Sequence, residues 1–395
     1  MRIAILGNFG LAGRQTMAVR ALPLAAQLAV HGHQVRAFMP VREAADLHGP
    51  HAVDGVTVEW AKGWLPIPLL HRLSQLVELG ASVLRWRPDL VYCFKPIAFS
   101  GALLWFLWWM RRVGLFSGGL LLDTDDWEGF GGWNERQPFP VWLKRVVAWQ
   151  EAWSLRHADL VTVASRELER MARELGARRL LYLPNGLGPA SPGLLEPQEP
   201  EMRSRLGLSG QPVILLYTRF VEYQPVRVVQ VLRELIRYQP EATLLVVGAG
   251  MAGEEQKLLS EAISLGVGER VRLMGWLNPE QVASSFRAAD VAIYPMDDNL
   301  LNRTKCPMKL VELMAAGVPV VADAVGQALE YMEHGVTGWL VPPGDWRAMA
   351  QGVAALLENP GLRAAIGDRA QAKARSVWRW DLLAQELDRE LSTVR

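Results

Sequence analysis

Short, mostly apolar runs alternate with amphipathic segments through the first half of the chain. The strands predicted from these runs are 2–7, 34–39, 89–94, 120–125, 158–164 and 180–184. Near-continuous apolar character is expected of strands that are buried on both faces of a parallel sheet. Segments with helical periodicity lie between them, for example 70–86 and 141–156. The pattern predicts a doubly wound α/β domain.

A segment rich in proline and glycine separates this series from a second one of the same kind. Residues 186–199, GLGPASPGLLEPQE, lack periodicity and are typical of a linker. Further strands are predicted at 212–218, 242–250, 270–276, 290–296 and 318–323, again with helical segments between them. Right-handed crossovers would make this series a second Rossmann-like domain.

We therefore expect two doubly wound domains that face a ligand-binding cleft at the carboxyl ends of their strands. The first is predicted to span 1–187, the linker 188–203 and the second domain 204–370. Residues 371–395 are amphipathic and predict a C-terminal helix that packs back on the N-terminal domain.

Composition changes this picture little. The 395 residues are 50% apolar and 21% charged, with a net charge of +1, which indicates a globular protein and no nucleic-acid partner. Cys93 and Cys306 lie far apart, so neither a disulfide framework nor a metal site is indicated. The apolar run 97–110 is interrupted and shorter than a membrane span. With no secretion signal apparent, we expect a cytoplasmic protein.

The most constrained motif is Lys305–Ala322, KCPMKLVELMAAGVPVVA. It resembles the retaining glycosyltransferases of family 4, which have the GT-B fold, and the resemblance covers essentially the whole chain. In that family a Glu-x7-Glu motif opens a helix and runs into Ala-x-Gly-x-Pro-Val-Val. Glu312 matches the second glutamate, and the small-residue stretch is matched by Ala315, Gly317, Pro319, Val320 and Val321.

The resemblance implies that Glu312 anchors the nucleoside of a nucleotide-sugar donor. A helix N-terminus with its preceding loop also offers unpaired backbone N–H groups to phosphate oxygens. The sequence departs from the family where Thr304 replaces the first glutamate. There the loop 302–309 is basic, and Lys309 can supply positive charge for a diphosphate leaving group. The donor-binding candidates of this segment are Thr304, Lys305, Pro307, Met308, Lys309, Leu310 and Glu312.

Two further candidates for the donor site follow strands of the second domain. Arg219 matches an arginine that, by resemblance, grips the donor diphosphate, whereas the partner lysine of the family is replaced by Gln224. Gly248 and Gly250 resemble a glycine loop near the base and phosphates, although glycines after a strand are more often structural.

In the first domain, the loop after the opening strand carries Gly10, Gly13 and Arg14. The glycine spacing differs from the dinucleotide fingerprint, which disfavours an NAD enzyme. Family 4 proteins place a glycine-rich loop here against the donor phosphates or the acceptor. A tight turn is the simpler alternative.

Carboxylates gather at the end of the strand 120–125. Asp123, Asp125 and Asp126 would be costly to bury without partners or a purpose. Either Asp125 or Asp126 is our candidate to orient or deprotonate the acceptor hydroxyl. We expect no metal here, because Asp-x-Asp is the metal motif of the GT-A fold, whereas the rest of the chain resembles GT-B. Capping of a helix explains at least one of these residues equally well.

Two features suggest contact with an anionic or lipid-linked acceptor. Lys95 follows a predicted strand and would meet an anionic acceptor, with an ordinary surface lysine as the alternative. Residues 101–112, GALLWFLWWMRR, are apolar on nearly all faces. They predict a buried helix, with a helix in the interface of a bilayer as the alternative that would make the protein peripheral to a membrane.

Together these features predict a GT-B glycosyltransferase. It would transfer a sugar from a nucleotide-sugar donor to a hydroxyl of a glycan or lipid-linked acceptor, with retention and without a cofactor. Two alternatives stay open: a non-catalytic binding subunit of the same fold, and a nucleotide-sugar epimerase.

Overall fold

The computed structural model describes residues 1–8, 16–43, 46, 51–196 and 202–394. Gly10, Gly13 and Arg14, the candidates in the first loop, lie outside the described residues. The chain forms two compact units. The first comprises Met1–Asn185, Thr304–Cys306 and Trp380–Arg395, and the second comprises Gly186–Arg303 and Pro307–Arg379.

Within the described residues, the sheet of the first unit has eight strands in the order β3-β4-β2-β1-β5-β6-β7-β8. All neighbours pair in parallel except β3 and β4, which form an antiparallel edge. The central strands β5 and β6 are buried along their whole length, as expected for the apolar sequence of β5 and for the Leu120–Leu122 run of β6. The strands are β1 (Arg2–Leu6), β2 (Gln34–Pro40), β3 (Ala52–Val53), β4 (Val56–Ala61), β5 (Leu90–Phe94), β6 (Gly119–Thr124), β7 (Leu160–Val163) and β8 (Leu180–Tyr182).

Helices join the successive parallel strands of this unit. A π-helical turn, Met17–Ala21, leads into the first of them. The last begins at a serine cap, in which the Ser165 side chain accepts from the backbone N–H of Leu168 at 3.2 Å. The helices are α1 (Leu22–Val30), α2 (Pro68–Trp86), α3 (Ala98–Arg112), α4 (Trp133–Arg136), α5 (Val141–His157) and α6 (Arg166–Glu174).

The second unit holds a six-stranded, wholly parallel sheet in its described part, in the order β11-β10-β9-β12-β13-β14. Its strands are β9 (Val213–Tyr217), β10 (Thr243–Val247), β11 (Val271–Gly275), β12 (Val291–Tyr294), β13 (Val320–Asp323) and β14 (Trp339–Val341). Its helices are α7 (Met202–Arg205), α8 (Pro225–Leu235), α9 (Glu254–Ser264), α10 (Pro279–Ala288), α11 (Leu300–Thr304), α12 (Met308–Ala315), α13 (Ala328–Tyr331), α14 (Trp346–Glu358) and α15 (Pro360–Val377).

The C-terminal segment differs from the single helix predicted over 371–395. Helix α15 ends at Val377, and a new helix, α16 (Trp380–Leu391), follows. Leu383 and Leu387 of α16 are buried in the same core cluster as Ile3 of β1. Residues 380–394 are therefore part of the core of the first unit.

The apolar segment 101–112 lies within α3, which is neither fully buried nor a membrane span. Leu103, Leu104 and Leu107 are buried, whereas Trp105 and Trp109 on the same helix are exposed. The preferred prediction of a buried helix is therefore wrong for half of its surface. Across the described residues, the helices lack the combination of length and hydrophobicity that crossing a bilayer requires.

Candidate active site

Asp123 lies at the end of β6 and is fully buried. Arg20 donates to both of its oxygens, from Nε at 2.8 Å and from Nη2 at 2.6 Å. The guanidinium also donates to the Asn185 side chain and to the backbone carbonyl of Leu183. Burial raises the pKa of Asp123, while Arg20 opposes that rise. These internal partners account for a buried carboxylate at this strand end.

Lys95 forms the centre of a second charged group, which we call the Lys95 cluster and define as Lys95, Asp125, Asp126 and Glu128. The Nζ atom lies 2.5 Å from Glu128, 3.2 Å from Asp125 and 3.3 Å from Asp126. Burial alone would lower the pKa of Lys95, but the three carboxylates raise it well above its ordinary value. Only 6% of Lys95 is exposed, so the alternative of a surface lysine is wrong.

The cluster exists because β5 and β6 are parallel neighbours whose carboxyl ends share one edge of the sheet. Lys95 directly follows β5, and its φ of 64° places it in the left-handed region that non-glycine residues rarely adopt. Asp125 and Asp126 directly follow β6. Three acids face one lysine, so the cluster keeps excess negative charge.

The two aspartates of the cluster differ. Thr16 donates to Asp125 at 3.0 Å. Burial opposes ionisation of Asp125, yet Lys95 and Arg20 hold its pKa below the ordinary value. For Asp126, burial raises the pKa to about 6. The Asp126 side chain is also more exposed than that of Asp125, at 18% against 10%. Asp126 is thus the better placed of the two to exchange a proton near neutral pH.

The short segment Thr304–Cys306 groups with the first unit rather than with the rest of the predicted donor loop. The carbonyl of Thr304 accepts from the Ser165 hydroxyl at 2.8 Å. The Asn185 side chain donates to the carbonyl of Cys306 at 3.0 Å. Lys305 lies 5.8 Å from the ring centre of Trp133, and its charge lowers the pKa of Asp126. The predicted loop is therefore divided between the two units.

In the second unit, a pocket opens at the carboxyl ends of β9 and β12. Lys309, in the first turn of α12, contributes to its wall, with Nζ 5.2 Å from the ring centre of Tyr217. Burial raises the pKa of Tyr294 well above 10, so its hydroxyl is neutral. The pocket is lined by Leu216, Tyr217, Thr218, Glu222, Tyr223, Ile293, Tyr294, Pro295 and Lys309.

Arg219 follows the pocket residue Thr218 directly. Its Nε atom is buried and has no hydrogen-bond partner among the described residues. Thr218 holds the loop in place, since its hydroxyl accepts from the backbone N–H of Phe220 at 2.8 Å and from the Tyr223 hydroxyl at 2.9 Å. A buried donor without a partner costs about 1–3 kcal/mol. An anionic ligand that accepts from Arg219 would remove this cost.

The helix that carries the matched motif begins after Pro307, with Met308 as its first residue. Glu312, one turn further, is only 4% exposed, and Leu310 is fully buried. The charge of Glu312 contributes to the raised pKa of Tyr294, which places the carboxylate near the pocket. Donor-binding roles for these residues stay predictions.

The glycine loop after β10 has a structural explanation. A Cβ on Gly248 would lie 2.0 Å from the carbonyl oxygen of Thr218, and its φ is 108°. Gly250 donates its N–H to Glu255 at 2.9 Å, and a Cβ there would meet Glu254 at 2.0 Å. Gly248 needs glycine because of its positive φ and the nearby backbone of Thr218, whereas at Gly250 the close neighbour is the side chain of Glu254.

Several residues of these sites were missed in the sequence. Arg20 and Glu128 complete the charged groups of the first unit, and Tyr217, Tyr223 and Tyr294 line the pocket of the second. A lone arginine in an apolar helical segment was the available signal for Arg20. Tyr217 and Tyr294 lie within the predicted strands 212–218 and 290–296, and Tyr223 follows the first of these, but nothing local distinguishes them from core residues.

Family models match both halves of the chain. Residues 15–186 match the family described as glycosyl transferase 4-like domain, and residues 198–373 match glycosyl transferases group 1. The two parallel units and the two matched domains place the chain in the GT-B class. Within that class, the chain belongs to the family 4 type. The fold class predicted from the sequence is confirmed.

Similar proteins include the GDP-mannose-dependent alpha-(1-6)-phosphatidylinositol monomannoside mannosyltransferase of Mycolicibacterium smegmatis. It is 31% identical over 56% of this chain, and the match spans only 59% of that relative. Alpha-D-kanosaminyltransferase of Streptomyces kanamyceticus is 27% identical over 82% of this chain and 80% of the relative.

Solved structures show the same fold. Sucrose-phosphate synthase from Thermosynechococcus elongatus superposes with a TM-score of 0.75 at 21% identity, covering 99% of this chain and 98% of that one. Anabaena HepE in complex with UDP-glucose gives a TM-score of 0.74 at 21% identity, covering 100% of both chains.

Proposed function

We propose that the protein transfers a sugar from a nucleoside-diphosphate sugar to a hydroxyl of a glycan or lipid-linked acceptor, with retention at the anomeric carbon. The observation that carries this proposal is the buried Nε of Arg219, which has no partner among the described residues. Arg219 directly follows Thr218, which lines the same pocket as Lys309. Two cations at the strand ends of a Rossmann-like unit suit a diphosphate.

On the donor side, Arg219 and Lys309 would bind the diphosphate and stabilise the charge that develops on it as the sugar departs. The backbone N–H groups at the start of α12 would add to this binding. Glu312 would accept from the ribose hydroxyls, as the family resemblance implies. One relative is by its name GDP-mannose-dependent, and one structural neighbour binds UDP-glucose, which supports the donor class but not one base.

On the acceptor side, Asp126 is the group that would orient or deprotonate the attacking hydroxyl. Its pKa of about 6 leaves it ionised at neutral pH with enough basicity to accept a proton. Asp123 is held by Arg20, and Asp125 and Asp126 share Lys95, with Asp126 the more exposed of the two. Because these carboxylates have cationic partners within the protein, the proposal places no metal at this strand end.

We further propose a lipid-linked acceptor on the cytoplasmic face of a membrane. Two observations support this. The relative from Mycolicibacterium smegmatis is, by its name, a phosphatidylinositol monomannoside mannosyltransferase, and Trp105 and Trp109 of α3 are exposed. Retention would follow from attack on the same face that the diphosphate leaves, with no protein nucleophile.

The test is to measure nucleoside-diphosphate release from UDP- and GDP-sugars, with and without hydroxyl acceptors, and to determine the anomeric configuration of the product by NMR. We expect release that depends on an acceptor and a product with the configuration of the donor. Nucleotide binding without turnover on any acceptor would instead favour a binding subunit. Conversion of the donor sugar without an acceptor would show an epimerase.

A further inference from the structure

The first unit exposes a row of large aromatic side chains on two neighbouring helices. We call it the α3–α5 face and define it as the exposed residues of these helices. Trp105 is 42% exposed, Trp109 50%, Trp142 65% and Trp149 52%. Apolar patches of this kind mark interaction sites when they are contiguous. The remaining members of the face are Ala98, Phe106, Arg112, Val141, Arg145, Val146 and Arg156.

The rings show that the face is continuous across the two helices. On α3, the Trp105 and Trp109 centroids lie 6.3 Å apart, and Trp109 lies 5.1 Å from Trp108. Trp108 then packs edge-on against Trp153 of α5 at 5.6 Å, and Trp153 lies 6.4 Å from Trp149. Aromatic contacts therefore lead without a break from one helix to the other.

Helical spacing places cations among these tryptophans. Arg112 is seven residues after Trp105, and Arg145 is three residues after Trp142, so each pair lies on one side of its helix. Both arginines are exposed. Arg112 also covers the Trp108 ring at 4.5 Å. Apolar rings and cations thus share one surface.

The charge of the face has one sign. Helices α3 and α5 together hold five Lys or Arg residues and one acid, Glu151. That acid is fully buried and accepts from the backbone N–H of Glu128 at 3.1 Å. Every exposed ionised side chain of the two helices is therefore cationic. Tryptophan and arginine occur at protein interfaces too, but an apolar face with cations alone complements an anionic lipid surface.

We propose that the α3–α5 face docks the protein on bilayers that contain anionic phospholipids, with the helices lying in the interfacial region. Tryptophan favours that region, and arginines gain from the negative surface potential. This inference rests on the proposed function for its purpose, because it brings the first unit to a lipid-linked acceptor. Helix α3 begins three residues after Lys95, so docking would hold the Lys95 cluster near the membrane.

The experiment is flotation of the purified full chain with phosphatidylcholine vesicles that contain or lack about 30% phosphatidylglycerol. We expect flotation with the anionic vesicles and little with pure phosphatidylcholine. Raising the salt from about 0.05 M to about 0.5 M should release the protein, because exposed charges are then screened. Equal binding to both kinds of vesicle, or binding to neither, would overturn the proposal.

Paired variants test the face itself. Trp105→Gln with Trp109→Gln should weaken vesicle binding at least about tenfold, and Arg112→Gln with Arg145→Gln should weaken it about 30-fold at low salt. The matched controls lie in the second unit and should bind like the wild type: Trp276→Gln, which is 65% exposed, and Arg233→Gln with Arg287→Gln. Variants of the face that still float like the wild type would overturn the proposal.

Three measurements keep the result interpretable. Circular dichroism shows whether each variant is folded, and quenching of wild-type tryptophan fluorescence by brominated lipid tests insertion without any variant. Thermal shifts with UDP and GDP in vesicle-free buffer should be the same for the wild type and the tryptophan variants. If neither the wild type nor the variants show a thermal shift while flotation is intact, the result contradicts the proposed donor site but not the docking of the face on membranes. A concentration-dependent dimer that the tryptophan variants abolish, without vesicle binding, would instead assign the face to a second copy.

Discussion

Arg20 in the first unit binds a residue at the end of β6, and Arg219 in the second unit follows the end of β9. The two arginines differ in their hydrogen-bond partners. Each guanidinium nitrogen of Arg20 has a partner, and Asp123 engages two of them. The Nε of Arg219 is buried without a partner among the described residues. A fully satisfied buried arginine stabilises the fold, whereas an arginine with an open donor gains from an added anion.

The same contrast separates the acids of the first unit. Asp123 pairs with Arg20, and Asp125 and Asp126 both pair with Lys95, but Asp126 has the more exposed side chain and a pKa that burial raises to about 6. Charged residues at the end of a strand thus differ in how fully their partners within the protein compensate them, and the least compensated ones are the candidates to act on a ligand. The variants Arg20→Ala, Asp126→Asn and Arg219→Gln test that difference.

The largest effect is expected for Arg20→Ala. Removing one partner of a buried ion pair leaves Asp123 uncompensated, which costs about 3–5 kcal/mol of unfolding free energy. Urea denaturation followed by circular dichroism measures this loss. Arg173→Ala is the control, because Arg173 is 69% exposed and its pair with Glu169 contributes under about 1 kcal/mol. A variant of Arg20 as stable as that control would contradict the assignment.

The next effect is a pH dependence due to Asp126. Its folded-state pKa of about 6 lies above the ordinary value of 3.8, so the folded protein binds the proton more tightly than the unfolded chain. The corresponding stability is complete below about pH 4 and is lost as the pH rises through about 6, by at most about 3 kcal/mol. Asp126→Asn should remove this loss, as urea denaturation between pH 4 and pH 7 would show.

The exposed Asp368→Asn serves as the control for Asp126→Asn and should leave the pH profile as it is. Activity provides a separate readout. If Asp126 exchanges the acceptor proton, kcat of the asparagine variant should fall by about a hundredfold or more, while donor affinity stays the same. An unchanged pH profile together with an unchanged kcat would remove Asp126 from the proposed site.

Much of the fold was readable from the sequence because both faces of the parallel strands are buried. The unbroken apolar runs at β5, β9 and β12 therefore marked strands directly. The strands β3 and β14 were missed because they are only two and three residues long, and β4 was missed because its sequence, VTVEWA, is not a continuous apolar run. Strand ends could be located, and with them the candidates Lys95 and Arg219.

Partners across long sequence separations could not be predicted. Arg20 meets Asp123 across 103 residues, a distance that no local pattern encodes. The periodicity of α3 was also misleading, because an apolar helix looks the same whether its far side meets a core or a bilayer. Only the packing of Leu103 and Leu107 shows which half is inside.

Arg219→Gln tests whether the buried Nε of Arg219, which has no partner among the described residues, binds the nucleotide. It should weaken nucleoside-diphosphate binding by about 10- to 100-fold, because a charge-assisted hydrogen bond contributes about 1.5–3 kcal/mol. Protein stability should stay the same or rise, since a buried donor without a partner is removed. Isothermal titration with UDP and GDP measures the affinity, with Arg233→Gln as the exposed control. Loss of stability with intact affinity would make Arg219 structural.

The smallest effect concerns the loop that carries Arg219. Tyr223→Phe removes only the hydroxyl that donates to Thr218 at 2.9 Å, and burial keeps this tyrosine neutral because its pKa is well above 10. A neutral hydrogen bond contributes about 1 kcal/mol, so the variant should be slightly less stable and bind the nucleotide less than about fivefold more weakly. Tyr238→Phe, on the exposed surface, should change neither property. Full affinity at reduced stability would show that Thr218 alone positions Arg219, since its hydroxyl still accepts from Phe220.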